Sequence, residues 1–224
     1  MKFRFLVLAF VFPSANVHKV SVDTFYIGQT TVTLKQWNCL MDADKKYYPK
    51  GEDDFPVVYV SWNDAQRFID KLNEKFENKR FDNKKISFRL PSEEEWEYAA
   101  RGGCNNNNET NDYKYSGSDD IYKVAVFTKN NEGKRSFVKS KKPNNLGIYD
   151  MSGNVQEWCY DSFALYPNSN SKVNKESGQG YLRVLRGGGW KNTEQQCRVY
   201  HRYCAFPDTR NSNIGFRIVM EEKD

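Results

Sequence analysis

The sequence has few of the residues that build metal sites and covalent cross-links. Its 224 residues include only two histidines and five cysteines, and no two cysteines stand in a C-x-x-C arrangement. Such a scattered, odd-numbered set argues against a zinc ribbon or a disulfide framework. We expect Cys39, Cys104 and Cys159 to fill space in the core, and we expect the protein to use no cofactor and no metal.

The sequence also lacks a long hydrophobic run, since the longest covers only residues 5–12 and a membrane span needs roughly 18 residues. No membrane-spanning helix is predicted. Residues 1–15 allow two interpretations: their basic start, short apolar stretch and closing Pro-Ser-Ala resemble a secretion signal, but the apolar stretch also fits a first β-strand. The signal predicts a secreted or cell-surface protein and the strand a cytoplasmic one. Residues 16–224 form the domain in either case.

Charge of one sign is not concentrated along the chain. The 34 Lys and Arg residues exceed the 29 Asp and Glu residues by five, and they are scattered rather than gathered into one stripe. This distribution argues against a nucleic-acid partner. Aromatic residues make up 15% of the chain, which indicates a globular protein whose buried surface comes largely from rings.

Three helices are predicted in the first half of the chain, each from its N-cap residue. Thr33 precedes a segment with one apolar side. Ser61 stands three residues before Asp64 in a capping box, and Ser92 opens an acidic first turn. We interpret Glu93–Glu95 as stabilising this helix rather than as catalytic, because carboxylates favour the positive end of a helix.

Brief strands are predicted for much of the remainder. Ile86–Leu90 is a short strand candidate, and after residue 120 the sequence shows no helical periodicity. The apolar runs that predict further strands there are Val124–Phe127, Phe137–Val138, Leu182–Leu185 and Phe216–Met220. The fold class is therefore α+β, with an irregular C-terminal half.

Three long motifs occur in order along the chain. They are FRLPSEEEWEYAARGG at 88–103, NLGIYDMSGNVQEW at 145–158 and RVLRGGGW at 183–190, with a closing GFR at 215–217. Together they resemble the formylglycine-generating enzyme (sulfatase-modifying factor) superfamily. The resemblance implies a single, loop-rich α+β domain with a C-type-lectin-like fold. It says far less about function.

The oxidases of this superfamily are similar to one another in a GGS-x-x-C-x-x-x-x-C signature, whose paired thiolates bind copper. Here Gly189 replaces the serine and Asn192 replaces the first cysteine, while Cys197 keeps the second position. Copper is selected by a soft thiolate pair, so the sequence predicts a protein that is not an enzyme. The alternatives are an oxidase that uses Cys197 and Cys204, and a structural or pseudoenzyme partner of the superfamily.

The resemblance also implies a structural calcium beside the second motif. Asp150 and Glu157 would supply carboxylates, and Gly153 and Val155 would supply carbonyl oxygens, a set that suits a hard cation. The alternative is that the two carboxylates only hydrogen-bond the loop. The sequence leaves both interpretations open.

The segment 189–213 combines a fixed frame with chemically mixed residues. The frame consists of Cys197, Arg198, Val199, Arg202, Pro207, Asp208, Arg210, Ile214 and Gly215. The intervening residues are Tyr200, His201, Tyr203, Cys204, Ala205, Phe206, Thr209, Asn211, Ser212 and Asn213. Each of these can arise from an asparagine codon when only adenines are replaced. The pattern resembles the variable region of diversity-generating-retroelement proteins of the Treponema type, which implies that these residues bind a ligand.

The composition of this segment also favours a binding surface. Its tyrosines, His201 and Phe206 supply large contact area at low conformational entropy, as antibody paratopes do, although each ring could instead belong to the core. Pro207 beside small residues argues against a regular buried strand. The frame arginines and Arg217 are expected to tie loops to carboxylates through bidentate bonds. We therefore expect a monomeric protein that binds a protein or cell-surface ligand.

Overall fold

Helices and short strands alternate along the chain. The structure is a computed structural model that describes residues 5–8, 19–41, 53–103, 112–163 and 182–223. The helices are α1 Leu34–Asn38, α2 Trp62–Phe76, α3 Glu93–Ala100 and α4 Ile121–Val124, with a 3₁₀ turn at Gln195–Cys197. The strands are β1 Phe5–Leu8, β2 Lys19–Val22, β3 Tyr26–Ile27, β4 Arg80–Phe81, β5 Lys84–Arg89, β6 Gln156–Ser162, β7 Arg183–Arg186, β8 Arg202–Ala205, β9 Ile214–Phe216 and β10 Val219–Lys223. The predicted α+β class is confirmed.

Two four-stranded sheets form the framework. The first has the order β3–β10–β5–β4 and is antiparallel. The second has the order β8–β7–β6–β9, in which β6 and β9 are parallel and the other neighbours antiparallel. Strand β8 lies at an edge, so one of its sides pairs with β7 and the other faces no strand in the described part of the chain.

An aromatic core joins the second sheet to α1 and α2. Trp37 stacks on Phe68 with ring centroids 5.5 Å apart, and Phe216 meets both rings edge-on. Trp158 is fully buried in the same cluster, and its indole N–H donates to the carbonyl of Val60 at 3.0 Å. Ring pairs of this kind contribute about 0.5–1.5 kcal/mol beyond the area they bury. They fix α2 against the face of the sheet.

The helices begin where their caps predict. In α2 the Ser61 hydroxyl accepts from the Asp64 N–H at 3.1 Å, and the Asp64 carboxylate accepts from the Ser61 N–H at 2.9 Å. Ser92 and Glu95 form the same box at the start of α3. Glu93 and Glu95 also form ion pairs with arginines, so the structural role expected for the acidic turn is confirmed.

Several predicted strands are wrong. Val124–Phe127 instead includes the end of α4, which begins after Asp120, because the Asp120 carboxylate accepts from the Tyr122 N–H at 3.1 Å. Phe137–Val138 forms no strand either. Strand β6 was not predicted, because its first four residues are all buried and include polar side chains, so hydrophobicity does not alternate along it.

The cysteines expected in the core divide into two groups. Cys159 is fully buried, which confirms its prediction, and burial raises the pKa of its thiol well above the ordinary value. Cys39 is exposed, so its prediction is wrong: it caps the end of the short helix α1 at the surface. Cys104 lies outside the described residues.

The start of the chain is described only in part. Phe5–Leu8 forms β1 and pairs antiparallel with β2. The other residues of the 1–15 segment lie outside the described ranges, and removal of this segment stays a prediction. Among the described residues, no helix has the length and apolar character that crossing a membrane requires.

Glu157 belongs to a fully buried ion pair. The guanidinium of Arg217 donates to both oxygens of this carboxylate, each at 2.7 Å, and both side chains are 0% exposed. The indole N–H of Trp96 donates to the same carboxylate at 2.6 Å. Arg217 also donates to the carbonyls of Gly28 and Tyr149. These bonds support the hydrogen-bonding interpretation of Glu157 over the calcium one.

The second carboxylate considered for calcium, Asp150, is also buried. Burial raises its pKa to about 6, although the backbone N–H of Lys139, at 2.9 Å, and the charge of Arg217 act in the opposite direction. Asp150 thus has a protein hydrogen-bond donor, as the second interpretation expects. A calcium ion at this loop stays an untested prediction.

Replacing Arg217 with methionine should destabilise the fold strongly. Arg217→Met leaves the buried Glu157 carboxylate without its charged partner, and breaking such a pair costs about 3–5 kcal/mol. Urea unfolding followed by tryptophan fluorescence measures the change. The matched control is Lys84→Gln, which removes an exposed lysine from its pair with Glu222 and should cost less than about 1 kcal/mol. Equal losses in the two variants would contradict the importance of the buried pair.

Candidate functional site

The segment singled out by the sequence runs along the edge of the second sheet. It leaves the 3₁₀ turn, forms β8, turns at 206–209 and enters β9. Strand β8 ends before Pro207, none of its four residues is buried, and among the described strands it pairs with β7 alone, so it is not the regular buried strand that Pro207 and the small residues beside it argue against. An edge position tolerates the irregular sequence.

The ten predicted contact residues differ in exposure. Cys204, Phe206 and Asn211 are exposed, and Phe206 is the most open of the large apolar side chains described, at 61%. Those that are half-buried are Tyr200, His201, Tyr203, Ala205, Thr209 and Ser212. Asn213 is buried at 5% exposure, so its side chain is withdrawn from a ligand and holds the loop together instead. Ligand contact by the others stays a prediction.

Two rings of the segment pack on one another. His201 and Tyr203 have centroids 4.6 Å apart, and the Tyr203 hydroxyl donates to the carbonyl of Gln196 at 3.0 Å. Burial raises the pKa of Tyr203, so it stays a neutral hydroxyl. Burial lowers the pKa of His201, and the charges of Arg186 and Arg198 lower it further. At neutral pH this part of the segment therefore presents uncharged rings with polar tips.

Arginines fasten the segment to the scaffold. Arg202 binds both oxygens of Glu93 at 2.6 Å, and Arg210 binds both oxygens of Asp64 at 2.6 and 2.9 Å. Burial alone would raise the pKa of Asp64, but hydrogen bonds from Arg210 and from its cap partner lower it to about 2. The bidentate role predicted for these two arginines is confirmed, as it is for Arg217.

Arg198 does not follow the prediction, and Arg186 takes a role that the sequence did not reveal. Arg198 donates to the hydroxyl of Tyr200 at 2.6 Å instead of to a carboxylate. Arg186 is fully buried, donates to Glu97 at 2.6 Å, and reaches the carbonyls of Val199 and Tyr200 at 2.7 and 3.3 Å. It holds the backbone of the segment without depending on the side chains displayed there.

Neighbouring aromatic residues extend the exposed surface and were missed. The N–H of Tyr59, 41% exposed, donates to the carbonyl of Asn211. Trp62 carries the guanidinium of Arg183 4.1 Å above its ring, and Arg183 is the strand partner of Ala205. These residues lie far from 200–213 in sequence, so only the tertiary fold brings them together.

The positions that correspond to the oxidase signature are filled by a polar cluster. Asn192 Oδ1 accepts from the Gly189 N–H at 2.9 Å and from the Asn213 amide at 2.8 Å. A Cβ on Gly189 would lie 2.3 Å from Asn213 Oδ1, so a serine cannot enter unless Asn213 moves. Cys197 is fully buried, and burial raises the pKa of its thiol to about 12. A buried thiol of this kind is a poor source of thiolate.

Nearly the whole chain matches one protein family. The sulfatase-modifying factor enzyme 1-like domain matches residues 8–222. The chain belongs to this family. The resemblance drawn from the three motifs is thereby confirmed, and with it the lectin-like scaffold that the two sheets and their loops form.

Relatives of this chain include catalysts and non-catalysts. It is 34% identical to the formylglycine-generating enzyme of Streptomyces coelicolor, over 75% of this chain and 53% of the enzyme. It is 31% identical to inactive C-alpha-formylglycine-generating enzyme 2 of Bos taurus, over 73% of this chain and 50% of that protein. It spans only 33% of the serine/threonine-protein kinase pkn1 of Chlamydia pneumoniae. Family membership alone therefore decides no activity.

Among solved structures, the chain is similar to Treponema denticola variable protein 1. The two share 29% identity and superimpose with a TM-score of 0.80, over 97% of this chain and 92% of that one. Nearly the whole domain is shared, without a large insertion on either side. The similarity to variable proteins of the Treponema type, expected from the C-terminal segment, is confirmed.

A serine at position 189 should destabilise the protein in a way that depends on Asn213. Gly189→Ser forces the Asn213 amide out of place, and overpacking of this kind costs about 1–3 kcal/mol. Combined with Asn213→Ala, the loss should be smaller than the sum of the two single losses by at least about 0.5 kcal/mol. Chemical unfolding of the four proteins in the cycle measures this coupling. Strictly additive losses would show that the two residues do not interact.

Proposed function

We propose that this protein is a non-enzymatic ligand-binding protein whose C-terminal segment forms a diversified recognition surface on a lectin-like scaffold. The observation that carries the proposal is the way the segment is held. Its backbone and frame arginines contact the scaffold, whereas Cys204 and Phe206 project into solvent. Side chains at such positions can change without loss of the fold.

Hydrogen bonds accepted by backbone carbonyls support the distinction between contacts that hold the segment and side chains that face solvent. Ser212 and Asn211 offer their carbonyls to the Trp190 indole N–H and the Tyr59 N–H, both at 3.0 Å. Arg186 donates to the carbonyls of Val199 and Tyr200. A carbonyl is present whatever the side chain, so these contacts are preserved when the residue changes. This property is what a diversified surface needs.

The filled oxidase position supports a role without catalysis. The polar cluster around Asn192 occupies the place of a reactive cysteine, and the remaining Cys197 is buried. Cys204 is exposed on β8, on the strand rather than in the 189–197 loop. The arrangement lacks a pair of accessible thiols within that loop, and paired thiolates are what copper chemistry requires.

The partner proposed is a protein or another molecule of a cell surface, bound by a monomer that is secreted or surface-located. Exposed rings such as Phe206 and Tyr59, interspersed with small and amide side chains, supply adaptable contacts of the kind found in paratopes. The similarity to Treponema denticola variable protein 1 supports the same role. Ligands would contact both the segment and the fixed residues beside it.

Sequencing of the coding DNA tests the diversification directly. We expect a near-identical template repeat of the region encoding residues 183–217, together with a reverse-transcriptase gene, within several kilobases downstream. Differences between repeat and gene should fall only at template adenines and within residues 200–213. Absence of a repeat, or differences spread over other bases, would contradict diversification while leaving ligand binding open to the next test.

Binding tests the recognition role. A ligand is first isolated by panning displayed surface proteins against the immobilised full chain. Phe206→Ala should then weaken its affinity by at least about tenfold, as loss of an aromatic anchor does. The control Phe81→Ala removes a 42% exposed ring from β4 of the other sheet and should change the affinity less than twofold. Equal effects of the two substitutions would place the interface elsewhere.

A further inference from the structure

A basic cavity lies among the loops that follow α4. It has a volume of about 270 Å³ and is lined mainly by residues between 130 and 141. Lys134, Arg135 and Lys141 contribute three positive charges to its lining, against one negative charge from Glu132. The cavity thus presents a net positive wall to a small ligand. Its volume lies just below the roughly 300–1,000 Å³ typical of small-molecule sites.

The local sequence concentrates this charge more than the whole chain suggests. Lys123–Lys142 contains seven basic residues and one acidic residue. Two of the seven, Lys123 and Lys129, pair with carboxylates outside the cavity lining. Within the described part of the chain, Lys134 forms no ion pair. The basic residues are scattered over the chain as a whole, but they are locally concentrated in this segment.

Two buried polar groups have no partner among the described residues, and one of them belongs to a residue that lines the cavity. One is the Ser140 hydroxyl, which belongs to a lining residue. The other is the amide nitrogen of the fully buried Asn154. The Asn154 carbonyl oxygen accepts from the backbone N–H of Ser136, another lining residue, at 3.0 Å, but Asn154 itself does not line the cavity, so its amide lies behind the wall. Buried polar groups are nearly always hydrogen-bonded, which points to a ligand.

The walls of the cavity are held in place before any ligand arrives. The side chain of Asn130 bonds the backbone of Ala125 and Phe127, both at 2.9 Å. Arg135 donates to a carbonyl at 3.3 Å and lies 5.3 Å from the ring of Phe55. Lys141 donates one N–H to a carbonyl at 3.1 Å and keeps two more. Such preorganisation lowers the cost of binding.

We propose that this cavity binds an oxyanion, namely the sulfate or phosphate ester of a sugar-sized ligand. The ammonium groups of Lys134 and Lys141 supply charge-assisted hydrogen bonds to the anion, and the Ser140 hydroxyl supplies a directed one. The side-chain amides of Asn130 and Asn131 bond to the backbone of the protein, so the two lysines and Ser140 are the donors that remain for the anion. None of the residues 200–213 lines the cavity, so the site is independent of the recognition segment.

Calorimetric titration of the full chain at low ionic strength tests the proposal. The probes are glucose 6-phosphate, glucose 6-sulfate, inorganic phosphate, inorganic sulfate and glucose. At least one ester should bind more tightly than its inorganic anion, and glucose should not bind. The tighter ester identifies the anion. The Phe206→Ala variant should bind the esters normally, which separates this result from the test of the recognition segment.

Substitutions test whether the named donors make the site. Lys134→Gln and Ser140→Ala should each lower the affinity for the tighter-binding ester by about tenfold. Lys142→Gln, which removes an exposed charge outside the cavity lining, should change its affinity less than twofold. The proposal is overturned if neither ester binds, or if Lys142→Gln weakens binding as much as Lys134→Gln, which would indicate diffuse attraction. Unchanged affinity in Ser140→Ala would overturn the assigned donor.

Discussion

The position of the C-terminal segment 189–213 depends on arginines that donate hydrogen bonds to backbone carbonyls and to carboxylates of the scaffold. Arg186 is the centre of this arrangement, because it joins Glu97 of α3 to the carbonyls of Val199 and Tyr200. A buried guanidinium is costly to desolvate, and the ion pairs and carbonyl bonds of its two terminal nitrogens offset that cost. Once satisfied, it fixes where the chain leaves the 3₁₀ turn. The bonds from Arg186 to these two carbonyls do not involve the side chains of Val199 and Tyr200, so they do not depend on which side chains stand there.

Local signals account for what the sequence predicted well. Ser61 and Ser92 predict the starts of α2 and α3. A capping box can be recognised in the sequence because its two residues are only three positions apart. The bidentate roles of Arg202 and Arg210 followed from the chemistry of guanidinium, although their partners Glu93 and Asp64 could not be named. The motifs supplied the fold because they were long and in order.

The failures share a different cause, since they depend on tertiary surroundings. Strand β6 is buried from Gln156 to Cys159, so it lacks the alternation that reveals a half-buried strand. Asn213 belongs to a segment that looks uniformly variable, yet it is the member that turns inward. Nothing in its residue type or in the neighbouring sequence distinguishes it from Asn211. The basic cavity is lined by one stretch, residues 126–141, so the sequence reveals its charge but not that the stretch folds around an open space.

The packing around Gly189 has an evolutionary consequence. A Cβ at position 189 would need the space that the Asn213 amide occupies, so the two positions cannot vary independently. A change to serine is tolerated only together with a change that moves or shortens the side chain at position 213. The loop that contains Gly189 is therefore held to its present sequence by its packing against Asn213, since a substitution at one of these positions alone removes or strains the contact between them.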